Sequence, residues 1–420
     1  MKPIHLIFGG LVATYAGLAA VNPVLAPLVR ELGLSEIQGG MIVTVAALMW
    51  SLTGPLWGRR SEVVGRKPVF VIGLFGFAFG FTLFGLSAML GVIGLVPATV
   101  AFVLMMLSRG VVGSLFSAVP VSAQAYIADN TSEEERTAGV ALIGAANGVG
   151  FIGGPAIAAA LTTFGLLAPI AFTILLPLLM GVLALWKLPR APKLTVADKP
   201  RIRLKPNDPR FAPMLLVGFL LIMSLVSQQV TAGFFFQDQL ALDTRTAAQV
   251  LGIALVTSGL ATITAQLLVV QRLKPAPHIL LRVGLPIAAI GFILLISASQ
   301  MPLMVVAFAF TGYGIGLALP GYIASISLSV GSTEQGAVAG LAASAQGFGA
   351  TFGPITSTAL YQLHPLLPYS ISAILVSGIA LLVLIRPPLR SAGSAPAPDA
   401  SSPRSLLGPE PTPAHRDYCD

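Results

Sequence analysis

Two stretches, "NGVGFIGGP" (residues 147–155) and "QGFGATFGP" (346–354), share the pattern polar–Gly–x–Gly–x–x–x–Gly–Pro and lie 199 residues apart. An interval close to half the chain implies that a single unit is built twice. Gly150 and Gly154 are four residues apart, hence on one helix face, and so are Gly349 and Gly353. A small face lets a neighbouring backbone approach closely. Pro155 and Pro354 each withdraw a backbone donor and bend the helix that carries them. The pattern predicts two equivalent bent helices at the interface between two halves. Those halves, about 5–190 and 210–386, should superpose by a rotation about an axis along the membrane normal.

The surrounding composition states what kind of unit is repeated. Of 420 residues, 55% are hydrophobic and 10% charged, with a mean hydropathy of +0.87. A soluble domain is about a quarter charged. Apolar runs of about 18 residues or more recur along the chain, as in helices that cross a bilayer. Twelve spans are read, at about 5–28, 38–57, 68–89, 97–125, 137–161, 165–187, 212–236, 246–270, 278–298, 302–328, 337–361 and 367–386. The fold class is therefore all-α integral membrane: twelve transmembrane helices in two six-helix bundles related by a pseudo-twofold. The first bundle is placed at 1–187, a linker rich in Lys, Arg and Pro at 188–211, the second bundle at 212–386, and a disordered Pro/Ser/Ala-rich tail at 387–420. The opening "MKPIHLIFGGLVATYAGLAAVNP" has the ingredients of a signal peptide, but its run is long and matched helices follow, so it is read as the first span.

The charge pattern sets the expected orientation. All but three of the 24 Lys and Arg residues fall on one side, in the N-terminus, the even-to-odd loops, the linker and the tail. Arg30 and Arg245 lie on the other side, and Arg109 is inside a span. By the positive-inside rule both termini are cytoplasmic. The basic pI then reflects topology and not a nucleic-acid surface; anionic lipid headgroups are the expected neighbours of the linker. The expected location is a bacterial cytoplasmic (inner) membrane. The single cysteine, Cys419, and four scattered histidines exclude a disulfide and leave no credible metal site; no cofactor is expected. With no GxxxxGK[ST] loop and no cluster of His, Cys and carboxylates, an enzyme is not expected.

Four stretches resemble the major facilitator superfamily, and within it the twelve-helix drug:proton antiporters that include tetracycline exporters. "GRRSEVVGRK" (58–67) resembles the family's loop signature. "SRGVVGS" (108–114) resembles the arginine-bearing signature of the fourth helix, "YIADNTSEEERTAGV" (126–140) the loop after it, and "GFIGGPAIAA" (150–159) the exporter signature of the fifth helix. The resemblance covers about 5–386. It implies that Gly58, Glu62, Gly65, Arg66 and Lys67 form a conformational lock that closes the cytoplasmic side when the transporter faces out. Here Glu62 replaces the more usual aspartate, and Val63 stands where a basic residue is common.

In that family the arginine matching Arg109 is implicated in proton coupling. By its chemistry it can also bind a carboxylate or phosphate of a substrate, or hydrogen-bond carbonyls of neighbouring helices. The acids depart from the drug-antiporter pattern. All sixteen can be placed in loops, at span ends or in the tail, with Glu31, Glu36, Asp238 and Asp243 facing the outside. The lack of a midplane carboxylate favours an anionic substrate, with Arg109 lining the central cavity. The seventh span ends "SQQVTAGFFFQDQLAL" (227–242), where Gln228, Gln229, Thr231 and Gln237 accompany Phe234, Phe235 and Phe236. This segment loosely resembles exporters of carboxylate siderophores; it equally fits an interfacial aromatic belt. The further substrate or coupling candidates are Tyr15, Asn22, Ser117, Gln124, Asn147, Gln266, Tyr313 and Gln346.

The expected function is secondary active export of a small organic molecule by alternating access, coupled to protons in antiport. The substrate is a drug or a carboxylate-rich molecule such as a siderophore. A proton-coupled importer of an organic acid or sugar on the same fold is the alternative. The expected partners are substrate, protons and membrane lipids, without nucleic acid, and the expected state is a monomer.

Overall fold

The computed structural model describes residues 3–130, 133–189, 204–331 and 334–385. Residues 190–203 of the expected linker and the whole expected tail lie outside the described residues, as do the side chains of 133–141. Among the described residues the chain forms twelve long helical spans and no strand. The first bundle has α1 (Pro3–Ala20 continuing as Asn22–Glu31), α2 (Glu36–Val64), α3 (Arg66–Val92), α4 (Ala98–Phe116 continuing as Ala118–Asn130), α5 (Glu133–Leu161) and α6 (Ala168–Lys187). The second has α7 (Ala212–Leu240), α8 (Thr244–Thr264 with a π-helical end, Ala265–Leu273), α9 (Pro277–Ser297), α10 (Met301–Leu328), α11 (Gln335–Leu363) and α12 (Leu367–Ile385).

Local chemistry explains the breaks. The pause in α1 at Val21 precedes Pro23, and the pause in α4 at Ser117 precedes Pro120; neither proline has an N–H for the residue four back. Ser35 starts α2 with a reciprocal cap: its hydroxyl accepts from the Gln38 N–H while the Gln38 side chain accepts from the Ser35 N–H. Asp243 caps α8 by accepting from the N–H groups of Arg245 and Thr246.

One expectation needs correction, that of a loop at 58–67, and one of the twelve spans differs from the others in composition. Eleven of the spans are apolar enough to cross a membrane on composition alone. The twelfth, α11, has the length at 29 residues but is rich in Gly, Ala, Ser and Thr. The expected loop around 58–67 is almost absent. α2 runs to Val64 and α3 starts at Arg66, leaving Gly65 alone between them at φ +105°, a backbone region that a β-carbon disfavours. Charge forces residues out of hydrocarbon but not out of a helix, so both helices project past the membrane.

The duplication predicted from the repeat is visible in the packing. In the first bundle α1 packs on α5 and α6, α3 on α4 and α6, and α2 on α4. In the second, α7 packs on α11 and α12, α9 on α10 and α12, and α8 on α10. Each pair maps onto its partner by adding six. The glycine faces of the repeat occupy matching places. A β-carbon on Gly150 would lie 2.5 Å from Cβ of Tyr15 and 2.8 Å from the amide nitrogen of Ala16 in α1. One on Gly349 would lie 2.5 Å from the Phe219 carbonyl oxygen and 3.0 Å from the Met223 nitrogen in α7.

These faces are therefore inside each bundle, and not between the halves as expected. The interface between halves is one step further round the same helices. The Pro354 carbonyl of α11 approaches Gly40 of α2, where a β-carbon would lie 2.8 Å from it. The Pro155 carbonyl of α5 approaches Gly252 of α8, at 3.1 Å by the same measure. The bundles thus meet along two related seams, α2 on α11 and α5 on α8. Gly154 and Gly353 serve their own bundle while the prolines that follow them serve the other.

Candidate functional site

One end of the molecule carries Arg59, Arg60, Arg66 and Lys67 and will be called the basic end; α1 crosses from there to Arg30 at the opposite end. Gly58, Gly65, Arg66 and Lys67 are half-buried at the basic end, while Glu62 is exposed. The carboxylate that meets Arg66 comes from α4: Arg66 Nε donates to Asp129 Oδ2 at 2.8 Å. Arg66 Nη1 donates to Ser61 Oγ at 2.7 Å, and that hydroxyl donates to the Gly58 carbonyl at 2.7 Å. Trp57 Nε1 donates to the Ser114 carbonyl. The expected contact through Glu62 is absent among the described residues in this state. The charge pairing at this end ties α3 to α4 within one bundle.

Arg109 is buried, at 3% exposure, with its guanidinium packed against α3. Its guanidinium carbon lies 5.4 Å from the ring centre of Phe81 and 5.8 Å from that of Phe84, both on α3. Among the described residues, Nε and Nη1 have no hydrogen-bond partner. Phe81 and Phe84 belong to an aromatic run that continues through Phe77 and Phe116 to Tyr15 and Phe151, with centroid spacings of 4.8 to 6.1 Å. Glycines on α3 bring it close enough to α4 for this face-on contact; a β-carbon on Gly80 would lie 3.0 Å from the Val112 nitrogen. Cation–π contacts contribute roughly 0.5–2 kcal/mol each. Placing a cation in the membrane interior costs about 3 kcal/mol or more. The rings therefore offset only part of the cost.

The other expected site residues divide. Tyr15 is buried in that aromatic run, its ring 5.5 Å from Phe116. Gln228 is buried at 2% exposure, and among the described residues its amide nitrogen and the amide oxygen of buried Gln237 have no partner. Thr231 donates to Tyr369 of α12 at 3.0 Å, so this face of α7 looks into its own bundle. Phe234, Phe235 and Phe236 are all buried, which corrects the reading of this segment as an exposed aromatic belt. Asn22, Asn147, Gln229, Gln266, Tyr313 and Gln346 are half-buried and Gln124 is exposed. Gln346 Nε2 donates to the Ala342 carbonyl at 3.4 Å, and Ser117 shares a 2.9 Å hydrogen bond with Thr53. The structure does not gather these residues into one cluster.

The arrangement missed from the sequence is at the other end. Arg30 at the end of α1 forms a two-pronged pair with Asp238 at the end of α7, with Nη2 to Oδ2 at 2.8 Å. Tyr361 of α11 donates to Asp238 Oδ2 at 2.6 Å. Arg30 also reaches Glu36 of α2 at 3.2 Å, and Gln362 of α11 donates to Glu36 at 3.2 Å. Deeper along the same seam Thr44 donates to the Thr351 carbonyl at 3.2 Å. The Arg30–Asp238, Gln362–Glu36 and Thr44–Thr351 bonds cross between the bundles, and all lie in the half of the molecule nearest Arg30. Among the described residues no hydrogen bond or ion pair spans the bundles at the basic end. Among the described residues, the hydrogen bonds and ion pairs that join the two six-helix units thus gather at the Arg30 end.

The family model of the Major Facilitator Superfamily matches residues 7–299 and 250–414. The chain belongs to that superfamily. This facilitator is 28% identical over 372 residues to the class G tetracycline resistance protein of Vibrio anguillarum, covering 86% of the chain and 90% of that protein. It is 27% identical over 392 residues to multidrug resistance protein 1 of Bacillus subtilis, covering 92% and 96%. Among solved structures, it superposes on a bacterial homologue of the human lysosomal transporter Spinster, in an inward-facing and occupied conformation. That match has a TM-score of 0.67 at 14% identity, over 91% of this chain and 93% of that one. The facilitator is thus a multi-pass membrane transporter and not an enzyme.

Proposed function

We propose that this facilitator exports a small organic molecule from the cytoplasm by alternating access, in exchange for protons, with the basic end facing the cytoplasm of a bacterial inner membrane. The observation that supports the reading is the one-sided bonding: cross-bundle bonds gather at the Arg30 end, and among the described residues none is found at the basic end, where substrate is read to enter. The positive-inside bias supports the orientation. The drug-resistance relatives support the direction. Both bundles and both seams lie in one chain, so a monomer suffices.

The substrate is read as a neutral or zwitterionic aromatic molecule of the size of a tetracycline. The anionic or siderophore-like alternative drew its strength from a cavity-facing Arg109. With that guanidinium packed against Phe81 and Phe84, the alternative keeps only the amides and rings of α7, most of them buried in their own bundle. No observation favours the importer reading.

Everted membrane vesicles with an imposed acid-inside pH gradient test the proposal. The expected result is accumulation of a tetracycline or another neutral aromatic probe that collapses when the gradient is dissipated. Accumulation of a tricarboxylate probe alone would restore the anionic reading. Uptake of any probe in the opposite sense, with none in this one, would overturn export.

A further inference from the structure

The Arg30 end is held shut by a small, discrete device. Four helices contribute to it: α1 and α2 from the first bundle, α7 and α11 from the second. Arg30 is its centre. Its guanidinium forks onto Asp238, touches Glu36, and lies 5.3 Å from the ring centre of Phe234. Tyr361 also donates to Asp238 Oδ2, the oxygen that Arg30 Nη2 reaches, and Gln362 donates to Glu36. An arginine clamped between two carboxylates and a ring face has few alternative poses, so the fork is pre-organised.

The Arg30–Asp238 and Glu36–Gln362 bonds serve the stability of neither bundle alone. Arg30 to Asp238, Asp238 to Tyr361 and Glu36 to Gln362 each involve a helix end, and the first and last of them join opposite bundles. The two central side chains are partly solvated, at 28% and 38% exposure, so the pair is of moderate strength and can break. Opening this end must part α1 from α7 and α2 from α11 together. The fork and the Glu36–Gln362 bond then break in the same step.

We infer that Arg30 and Asp238, keyed by Tyr361 and Glu36, form a charge latch that sets the balance between the state seen here and the state open at the opposite end. The inference rests on the alternating-access reading but not on any substrate. The latch acts on the conformational equilibrium and is distinct from the lock expected at residues 58–67, which is at the far end of the same helices.

The test measures distance without requiring transport. With Cys419→Ser as background, spin labels are placed at Leu95→Cys, in the α3–α4 connection of the first bundle, and Gln300→Cys, in the equivalent α9–α10 connection of the second. Both positions are exposed and at the Arg30 end. In detergent, Asp238→Asn should raise the ratio of long to short distances about fivefold, the equilibrium shift expected for losing one solvated charge pair. Arg30→Lys, which keeps charge without the fork, should fall between. Glu31→Gln, a neighbouring charge outside the network, should leave the distribution as it was. In the unsubstituted protein, rising salt should move the ratio the same way by screening. That measurement keeps the inference testable if Asp238→Asn fails to fold. A ratio unmoved both by salt and by folded Asp238→Asn overturns the latch. Failure of vesicle transport with a shifted ratio would count against the export reading alone.

Discussion

Arg66 and Asp129, 63 residues apart, close a 2.8 Å ion pair between the start of α3 and the end of α4, with only 14% and 15% of their side chains exposed. The basic cluster is therefore anchored to its own bundle by a residue outside the loop motif. Glu62, the acid within the motif, is left exposed in this state. Removing one partner of a partly buried, hydrogen-bonded pair costs about 1–3 kcal/mol. Asp129→Asn should accordingly lower the thermal unfolding midpoint of the purified protein. Glu62→Gln should leave that midpoint unchanged yet slow turnover, because its partner is met only when the basic end closes. Equal midpoints for Asp129→Asn and wild type would remove the anchoring role.

Glycines inside a bundle and glycines on a seam should fail differently. At Gly154 a new side chain meets the Ala16 carbonyl and the Ala20 nitrogen in the same bundle, in every state of the cycle. At Gly252 it meets Ala159 and the Pro155 carbonyl only while the α5–α8 seam is shut. Overpacking costs about 1–3 kcal/mol. Gly154→Val should lower folded yield and unfolding temperature. Gly252→Val should fold normally and instead favour the conformation open at the Arg30 end, read by the Leu95–Gln300 label distance. A loss of folded protein in both would mean that the seam is fixed.

Arg109 separates shape from charge. Arg109→Ala leaves a gap beside Phe81 and Phe84 and should cost about 2–4 kcal/mol. Arg109→Leu fills much of that gap and removes a cation two of whose nitrogens have no partner among the described residues, so it should unfold at least as late as wild type. Neither variant should change the affinity for a neutral substrate at equilibrium. If the family's coupling role applies, Arg109→Leu will bind but lose the response to a pH gradient. A large fall in affinity for both variants would put the guanidinium back in the substrate path.

The clamp at the start of α7 offers a pH test. Arg210 reaches Asp208 at 2.9 Å and Glu334, just before α11, at 3.0 Å, and it holds both carboxyls below their ordinary range. A depressed folded value means the contact is complete above the ordinary carboxylate range and is lost as pH falls through the depressed value. The clamp should therefore be indifferent between pH 7 and about pH 5, since free carboxyls titrate near 4. The carboxyl carbon signal of Glu334 should titrate below that of a free glutamate and return to it in Arg210→Gln. A wild-type midpoint at or above the free value contradicts the clamp.

The fold was legible because its signals are local. Hydrophobic length marks eleven of the twelve spans, and the repeated glycines and prolines mark equivalent helices. The face assignment was not, because Gly154 and Pro155 are adjacent yet serve different neighbours, and only their rotation about the helix axis separates them. Arg109 looked like a cavity residue because an intramembrane charge invites a polar partner; Phe81 and Phe84, 28 and 25 residues earlier, carry no mark of cation binding. Arg30 and Asp238 read as ordinary charges at helix ends. The available clue was their opposite sign at corresponding ends of two repeat-equivalent helices, α1 and α7.

The polarity of α11 bears on how the protein is made. Each of the other spans can partition into lipid on its own composition, whereas α11 presents glycines to α7 and glycine, threonine and proline to α2. Its apolar surroundings are other helices, so it becomes a comfortable transbilayer segment only after α2 and α7 are already in the membrane. During synthesis it should linger at the insertion machinery until α12 emerges behind it. The penultimate helix, which shuts the seam in the mature carrier, is then also the step at which biogenesis checks that both halves have arrived.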